Sequence, residues 1–165
     1  MSRGFVKEDD LELAGTDLPE RPLSPHPNYV TPYGLQQLQQ RLQALEAERQ
    51  HYVGRKEDPQ AQQKLAEIER DRRYYAARLE SAQLVDPAQQ SGDTVLFGAR
   101  VTVEDEQGDT HVFHIVGEDE ADIAQGKVSV VSPVAKALLG RKIGDSTLWQ
   151  RPAGPITLTI LEVTY

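Results

Sequence analysis

The sequence predicts an α+β protein, in which an antiparallel helical hairpin precedes a small domain built on an antiparallel sheet with one short helix. Three observations predict it. Leu35, Leu38, Leu42, Leu45 and Tyr52 recur at helical steps, as do Leu65, Ile68, Tyr75, Leu79 and Ala82, so each set lines one narrow helical stripe. Between the two runs stands the break Gly54-Arg55-Lys56-Glu57-Asp58-Pro59, short enough that the two stripes bury mainly each other. Beyond Thr94 the period changes to stretches rich in Val, Phe and Thr, with alternation at His111, Val112, Phe113, His114 and Ile115.

The elements follow in order. Residues 1–30 hold Pro19, Pro22, Pro25 and Pro27 among clustered acids and too few apolar residues for a core, which predicts a flexible acidic tail. Phe5, Val6 and Leu11 are its candidates for docking. Thr31-Pro32 reads as a helix start, threonine capping and proline at the first helical position. The helix is expected to reach about Val53, with Gly54 in the left-handed position after it. At ~1.5 Å per residue this arm is roughly 33 Å long. Asp58-Pro59 repeats the start signal, and the second helix is expected to run to about Leu84, with the arm closing at Pro87 and a linker over 89–92. The hairpin arm therefore spans 31–86 and the second domain 87–165. In that domain Thr94–Glu104 and Thr110–Val116 are strands joined at Gln107-Gly108-Asp109. Lys127–Val131 is a further strand. Ser132-Pro133 starts a short helix with Ala135, Leu138 and Leu139 inward and Gly140 behind it. Thr147–Gln150 and Ile156–Thr164 close the chain as strands.

Composition limits the function. There is no cysteine, so disulfides and thiolate metal sites are excluded. The net charge is −8, with the arm balanced and the excess acid on the tail and the second domain. That distribution argues against autonomous, sequence-specific binding to DNA, which needs a basic face. No apolar run has the length of a signal peptide or a membrane span, so a soluble cytoplasmic protein with no membrane partner is expected. No phosphate-binding loop, nucleophile elbow or nucleophile–base pair is visible. His111 and His114 fall on opposite faces of a strand, so a zinc pair is not expected. The chain reads as having no catalytic residues and no intrinsic metal of its own.

Four charged residues form the break: Arg55, Lys56, Glu57 and Asp58. Only Glu57 and Asp58 there offer hard oxygen ligands for a divalent cation, and Asp58 before Pro59 is also a natural helix cap. Arg55 and Lys56 favour phosphate or carboxylate and oppose a further cation. Arg70, Arg72, Arg73 and Arg78 make the second helix basic, interleaved with acids, which reads first as ion pairs within the arm and secondly as a surface for phosphate groups.

The residues then resemble a known family. Thr31-x-x-Gly34 ahead of the leucine stripe, Ala82-Gln83-Leu84-Val85-Asp86, Val95-Leu96-Phe97-Gly98-Ala99, Ile115-Val116-Gly117-Glu118-Asp119-Glu120-Ala121-Asp122 and Ser129–Gly140 occur in the order seen in bacterial GreA/GreB transcription elongation factors. The chain looks like a short-hairpin, tip-divergent member. The resemblance implies an FKBP-like second domain that docks on the rim of RNA polymerase's secondary channel, with Asp119, Glu120, Ser132 and Pro133 on the docking face. It implies a hairpin (coiled coil) inserted into that channel. In cleavage-stimulating members, acids at the tip help hold a second Mg²⁺ of the polymerase and position water, so that backtracked RNA is cut. That tip reads Gly-Asp-x-x-Glu-Asn, whereas here Arg55 follows Gly54. The arm is also shorter by on the order of ten residues, retracting the tip by roughly 7 Å.

Two mechanisms therefore stand open: cleavage stimulation through Glu57 and Asp58, sharing the polymerase's Mg²⁺, or occupation of the channel without cleavage. Arg55 and the short arm tilt the reading toward the second. An FKBP-like prolyl isomerase or chaperone is the distant alternative, disfavoured by few aromatics (Phe97, Phe113, Trp149, Tyr165). A scaffold without polymerase contact is another.

Overall fold

The computed structural model describes residues 18–165, and the chain divides into two units. The expected docking residues Phe5, Val6 and Leu11, with the rest of the tail through residue 17, lie outside the described residues. The architecture is mixed α+β.

The first unit contains residues 38–81. Helix α1 (Pro32–Gln50) contributes all but its opening turns, and helix α2 (Pro59–Ser81) lies wholly within it. Leu38, Leu45 and Ile68 are buried, while Leu42, Leu65, Tyr75 and Leu79 are half-buried. The predicted stripe is thus the packed seam. Ion pairs join Glu46 to Arg72, Arg49 to Glu69 and Glu48 to Lys64. Glu46 pairs with Arg72, whereas the later Glu48 and Arg49 pair with the earlier α2 positions Lys64 and Glu69, so the helices run antiparallel. Helix α1 stops three residues before the expected Val53, because the chain leaves the helical path in tight turns, with the N–H of His51 donating to the Glu48 carbonyl and that of Tyr52 to Arg49. Gly54 does not take the left-handed conformation expected of it.

Segment 18–25 belongs to this unit and is tied to α2 by Glu20 and Arg21. In the described part of the expected tail, the charges of Glu20 and Arg21 find partners on the helix.

The second unit comprises 26–37 and 82–165. Strands β1 (Tyr29–Val30) and β2 (Gln83–Leu84) pair in parallel, a contact that draws residues 26–30 and the first turn of α1 into this unit. Strands β3 (Arg100–Glu104), β4 (Thr110–Val116), β5 (Lys127–Ser129), β6 (Ser146–Trp149) and β7 (Ile156–Thr164) form one sheet in the order β5-β4-β3-β7-β6. The expected fully antiparallel sheet is corrected at one edge: β5 runs parallel to β4, with His114, Ile115 and Val116 opposite Lys127, Val128 and Ser129. The intervening segment 117–126 crosses back before β5 enters, so the strands share a direction. Helix α3 (Pro133–Leu138) packs Val134, Ala135 and Leu138 into the core with Val101, Val103, Ile115, Leu158 and Ile160. Strand β3 begins at Arg100 rather than Thr94. The approach is instead a turn after Asp86, which caps a 3₁₀ turn at Pro87–Gln89. At Gly98 (φ 89°) a side chain would overlap the Pro87 ring.

Candidate functional site

Two candidate sites are defined, one in each unit. The first is the turn joining α1 and α2. Asp58 Oδ1 accepts the N–H groups of Gln60 at 3.0 Å and Ala61 at 3.4 Å, capping α2, with Pro59 at the first helical position. The Arg55 carbonyl accepts the N–H of Asp58 and the side-chain amide of Gln62, so the turn folds onto the helix it precedes. The Arg55 guanidinium lies 5.7 Å from the centre of the Tyr52 ring. Glu57 and Lys56 are exposed. Gly54, Arg55, Lys56, Glu57 and Asp58 together surround an open hollow. Among the described residues, no three His, Asp or Glu side chains are grouped to hold a metal ion. A Mg²⁺ does not fit this turn on its own terms: one carboxylate oxygen is engaged by backbone donors, and two cationic side chains stand in sequence beside it. The donors a hard cation would need are six or more oxygens.

The basic residues of α2 are mostly neutralised within the first unit. Arg72 pairs with Glu46 and Glu69, and Arg70 with Asp71. The reading of ion pairs within the arm holds for Arg70 and Arg72. Arg73 instead takes its carboxylate from Glu20, outside the helix pair.

The second site lies in the second unit. Phe113 and Trp149 meet edge to face with centroids 5.7 Å apart. With Ile123, Val128, Pro133 and Pro152 they line an apolar hollow of about 580 Å³. Ile123 is 87% exposed, on a 3₁₀ turn capped by Asp122. The expected docking residues separate here. Ser132 and Pro133 line the hollow, Ser132 also capping α3 through its bond from the Ala135 N–H. Asp119 is exposed. Glu120 is buried and committed inward: it accepts the Thr31 hydroxyl at 2.5 Å and faces Lys127 Nζ at 3.5 Å. Thr31 in turn accepts the N–H of Gly34 at 3.0 Å. A side chain on Gly34 would come within 2.7 Å of Glu120 Oε1, which explains the glycine three residues after the cap. Gly117 is similarly required, because a side chain there would overlap the Tyr29 carbonyl. Glu120 is thus a brace for the start of α1 rather than an outward-facing docking group. The four aromatics Phe97, Phe113, Trp149 and Tyr165 are few for a proline pocket, yet Phe113 and Trp149 meet here as an aromatic floor. The strands that bring the two rings together are distant in sequence, so no local signal pairs them.

His114 is the perturbed group nearest this region. Burial and the charge of Arg100 hold its imidazole below the usual range, with Lys127 acting in the same sense and Glu120 against it.

Comparison with known proteins places the second unit. Residues 89–165 match the family model of the transcription elongation factor GreA/GreB C-terminal domain. GreA of Anaeromyxobacter sp. (strain K) is 46% identical over 86 residues, 52% of this chain and 52% of that protein. GreA of Halorhodospira halophila is 47% identical over 87 residues, 52% of this chain and 55% of that protein. The chain spans about half the length of the relatives it matches. Among solved structures, Gfh1 of Thermus thermophilus is similar at 24% identity, covering 85% of this chain and all of that one with a TM-score of 0.41. A GreA/GreB factor of Nitrosomonas europaea is similar at 24%, covering 84% and 99%, with a TM-score of 0.42. Residues 89–165 are thus similar to the C-terminal domain of the GreA/GreB transcription elongation factors.

Proposed function

We propose that the protein binds RNA polymerase through its second unit and regulates transcription elongation by placing the α1–α2 hairpin in the secondary channel, without stimulating transcript cleavage. In this reading 31–86 is a coiled-coil arm and 87–165 an FKBP-like docking domain. The family match over 89–165 supports the choice of partner. The observation that carries the mechanism is Asp58: its Oδ1 is engaged by two N–H groups of α2. Releasing such a cap costs about 1 kcal/mol before any cation is bound. Glu57 alone is then the uncommitted acid of the turn, beside Arg55 and Lys56. A turn of this charge can fill a channel and meet phosphate oxygens; it does not bring the paired carboxylates that sharing a second Mg²⁺ of the polymerase requires. Contact with nascent RNA follows only indirectly, by way of the channel.

The hollow at Phe113, Trp149 and Ile123 is the proposed polymerase contact, with Ser132, Pro133 and Asp119 around it. A pocket of this size and apolarity accepts one or two large side chains of a partner. The test is binding of core RNA polymerase to the full chain and to Ile123→Asp. Ile123 is almost wholly exposed, so the variant should fold as the parent does. The expected result is affinity lower by about tenfold, the scale of one interface anchor, with an unchanged melting temperature. Equal binding by both proteins contradicts the docking assignment, and no binding by the parent contradicts the partner.

A further inference from the structure

Residues 18–25 repeat proline at every third position, as Pro19, Pro22 and Pro25. Leu18, Arg21 and Ser24 each precede a proline, which biases them to extended or polyproline II backbone. A polyproline II helix has three residues per turn, so those three residues fall along one edge of it. The structure repeats that period as burial. Leu18, Arg21 and Ser24 are half-buried, while Pro19, Glu20, Pro22, Leu23 and Pro25 are exposed. The prolines thus face outward and hold the shape, and the residues ahead of them form the inner edge.

At the middle of that edge, Arg21 enters a site built on α2. Asp71, Tyr74 and Tyr75 stand at i, i+3 and i+4 and share one face of the helix. Arg21 Nη1 is 3.3 Å from Asp71 Oδ1, and its guanidinium lies 3.9 Å from the centre of the Tyr74 ring and 5.2 Å from that of Tyr75. The two rings meet edge to face with centroids 5.1 Å apart, and Arg41 of α1 lies 5.8 Å from the Tyr75 ring. The Asp71 side chain is only 18% exposed, so water screens its charge incompletely. A tyrosine surface beside a sheltered carboxylate suits an arginine carried on a preformed polyproline II edge. We infer that the Asp71–Tyr74–Tyr75 face is a docking site for arginine-bearing, proline-rich segments, closed in this chain by its own residues 18–25, and that such a segment of a partner protein binds by displacing them. Little backbone entropy separates the docked from the released segment, because proline limits both. The tethered segment competes at an effective concentration on the order of millimolar, which closes the site to weak ligands and leaves it open to strong ones.

The experiment uses the full chain without polymerase, so its outcome is independent of the proposed function. A fluorescein-labelled peptide of residues 18–25 is the probe, and its binding is followed by anisotropy. Arg21→Asp sets a second carboxylate against Asp71 and frees the site. The peptide is expected to bind this variant about tenfold or more tightly than the parent, the factor that a mostly occupied site imposes. Adding Asp71→Asn or Tyr74→Leu to Arg21→Asp is expected to weaken that binding by about tenfold. Asparagine matches aspartate in shape, so Asp71→Asn gives a reading even where Tyr74→Leu lowers the melting temperature. A second peptide carries Pro19→Ala, Pro22→Ala and Pro25→Ala with its charges unchanged. It is expected to bind Arg21→Asp about fivefold more weakly, because it is no longer preorganised. Equal affinity of the two peptides overturns the polyproline class, and equal affinity of the parent and Arg21→Asp overturns closure by residues 18–25. No binding by Arg21→Asp overturns the site, and binding unaltered by both Asp71→Asn and Tyr74→Leu overturns its location. A parent chain that sediments as a dimer, and as a monomer with Arg21→Asp, assigns the site to a second copy's segment and overturns the partner protein.

Discussion

Glu120 joins the acidic loop after β4 to the cap of α1, a side chain bonding to a hydroxyl 89 positions away. Buried beside Lys127 and Thr31, it leaves two polar partners without compensation when removed. Glu120→Ala should therefore lower stability by about 1–3 kcal/mol in urea unfolding, and a loss under about 0.5 kcal/mol contradicts the brace. Gly34→Ala should also destabilise, by driving a methyl against Glu120 Oε1. Nothing in a single sequence pairs Thr31 with Glu120. The cap itself was legible because it acts three residues away, whereas the partner that fixes the cap is chosen by the fold. His114 gives a pH dependence with a definite sign. Its pKa is lowered in the folded chain, so below about 6.5 the unfolded chain binds the proton more readily and stability falls as pH drops. The carboxylates with lowered pKa, Glu20 and Asp105, act only at more acidic pH. Between pH 6.5 and about 5 the fall should be reduced in His114→Gln; an unchanged slope there contradicts the assignment.

At the scale of elements, three helix starts were readable from sequence: Thr31-Pro32, Asp58-Pro59 and Ser132-Pro133 all begin helices in the structure. Each is a local device, a side-chain oxygen meeting an N–H two or three residues on. The parallel entry of β5 and the β1–β2 pair were not readable, because a strand's direction depends on how the connecting chain returns. The turn between α1 and α2 separates structural from chemical roles. Asp58→Ala should cost about 1 kcal/mol of stability, Asp58→Asn much less, and Glu57→Ala within about 0.5 kcal/mol, all by thermal or urea unfolding. Equal losses at Glu57 and Asp58 contradict the cap. At Gly54, whose backbone is not left-handed and whose added Cβ meets nothing within 4 Å, alanine should be neutral or stabilise by up to about 1 kcal/mol.

For the whole molecule, the family match lies in the second unit, and the proposed mechanism rests on the first. The leucine stripe, the antiparallel helices and the α+β architecture were legible in the sequence because burial follows periodicity. The hollow was not, since its walls come from β4, β5, α3 and the segment after β6, with no motif in common. The charge order of the turn was visible at once, yet its meaning depends on whether Asp58 is free, and that required coordinates. No helix among the described residues is long and apolar enough to cross a membrane. The most direct test of the account is transcript cleavage by a backtracked RNA polymerase complex, assayed with the full chain, Glu57→Ala and Asp58→Asn, alone and beside a cleavage-competent GreA. The account predicts no stimulation by any of the three and a reduced rate when the parent chain competes with GreA. Strong cleavage by the parent chain, lost in Glu57→Ala or Asp58→Asn, would contradict it.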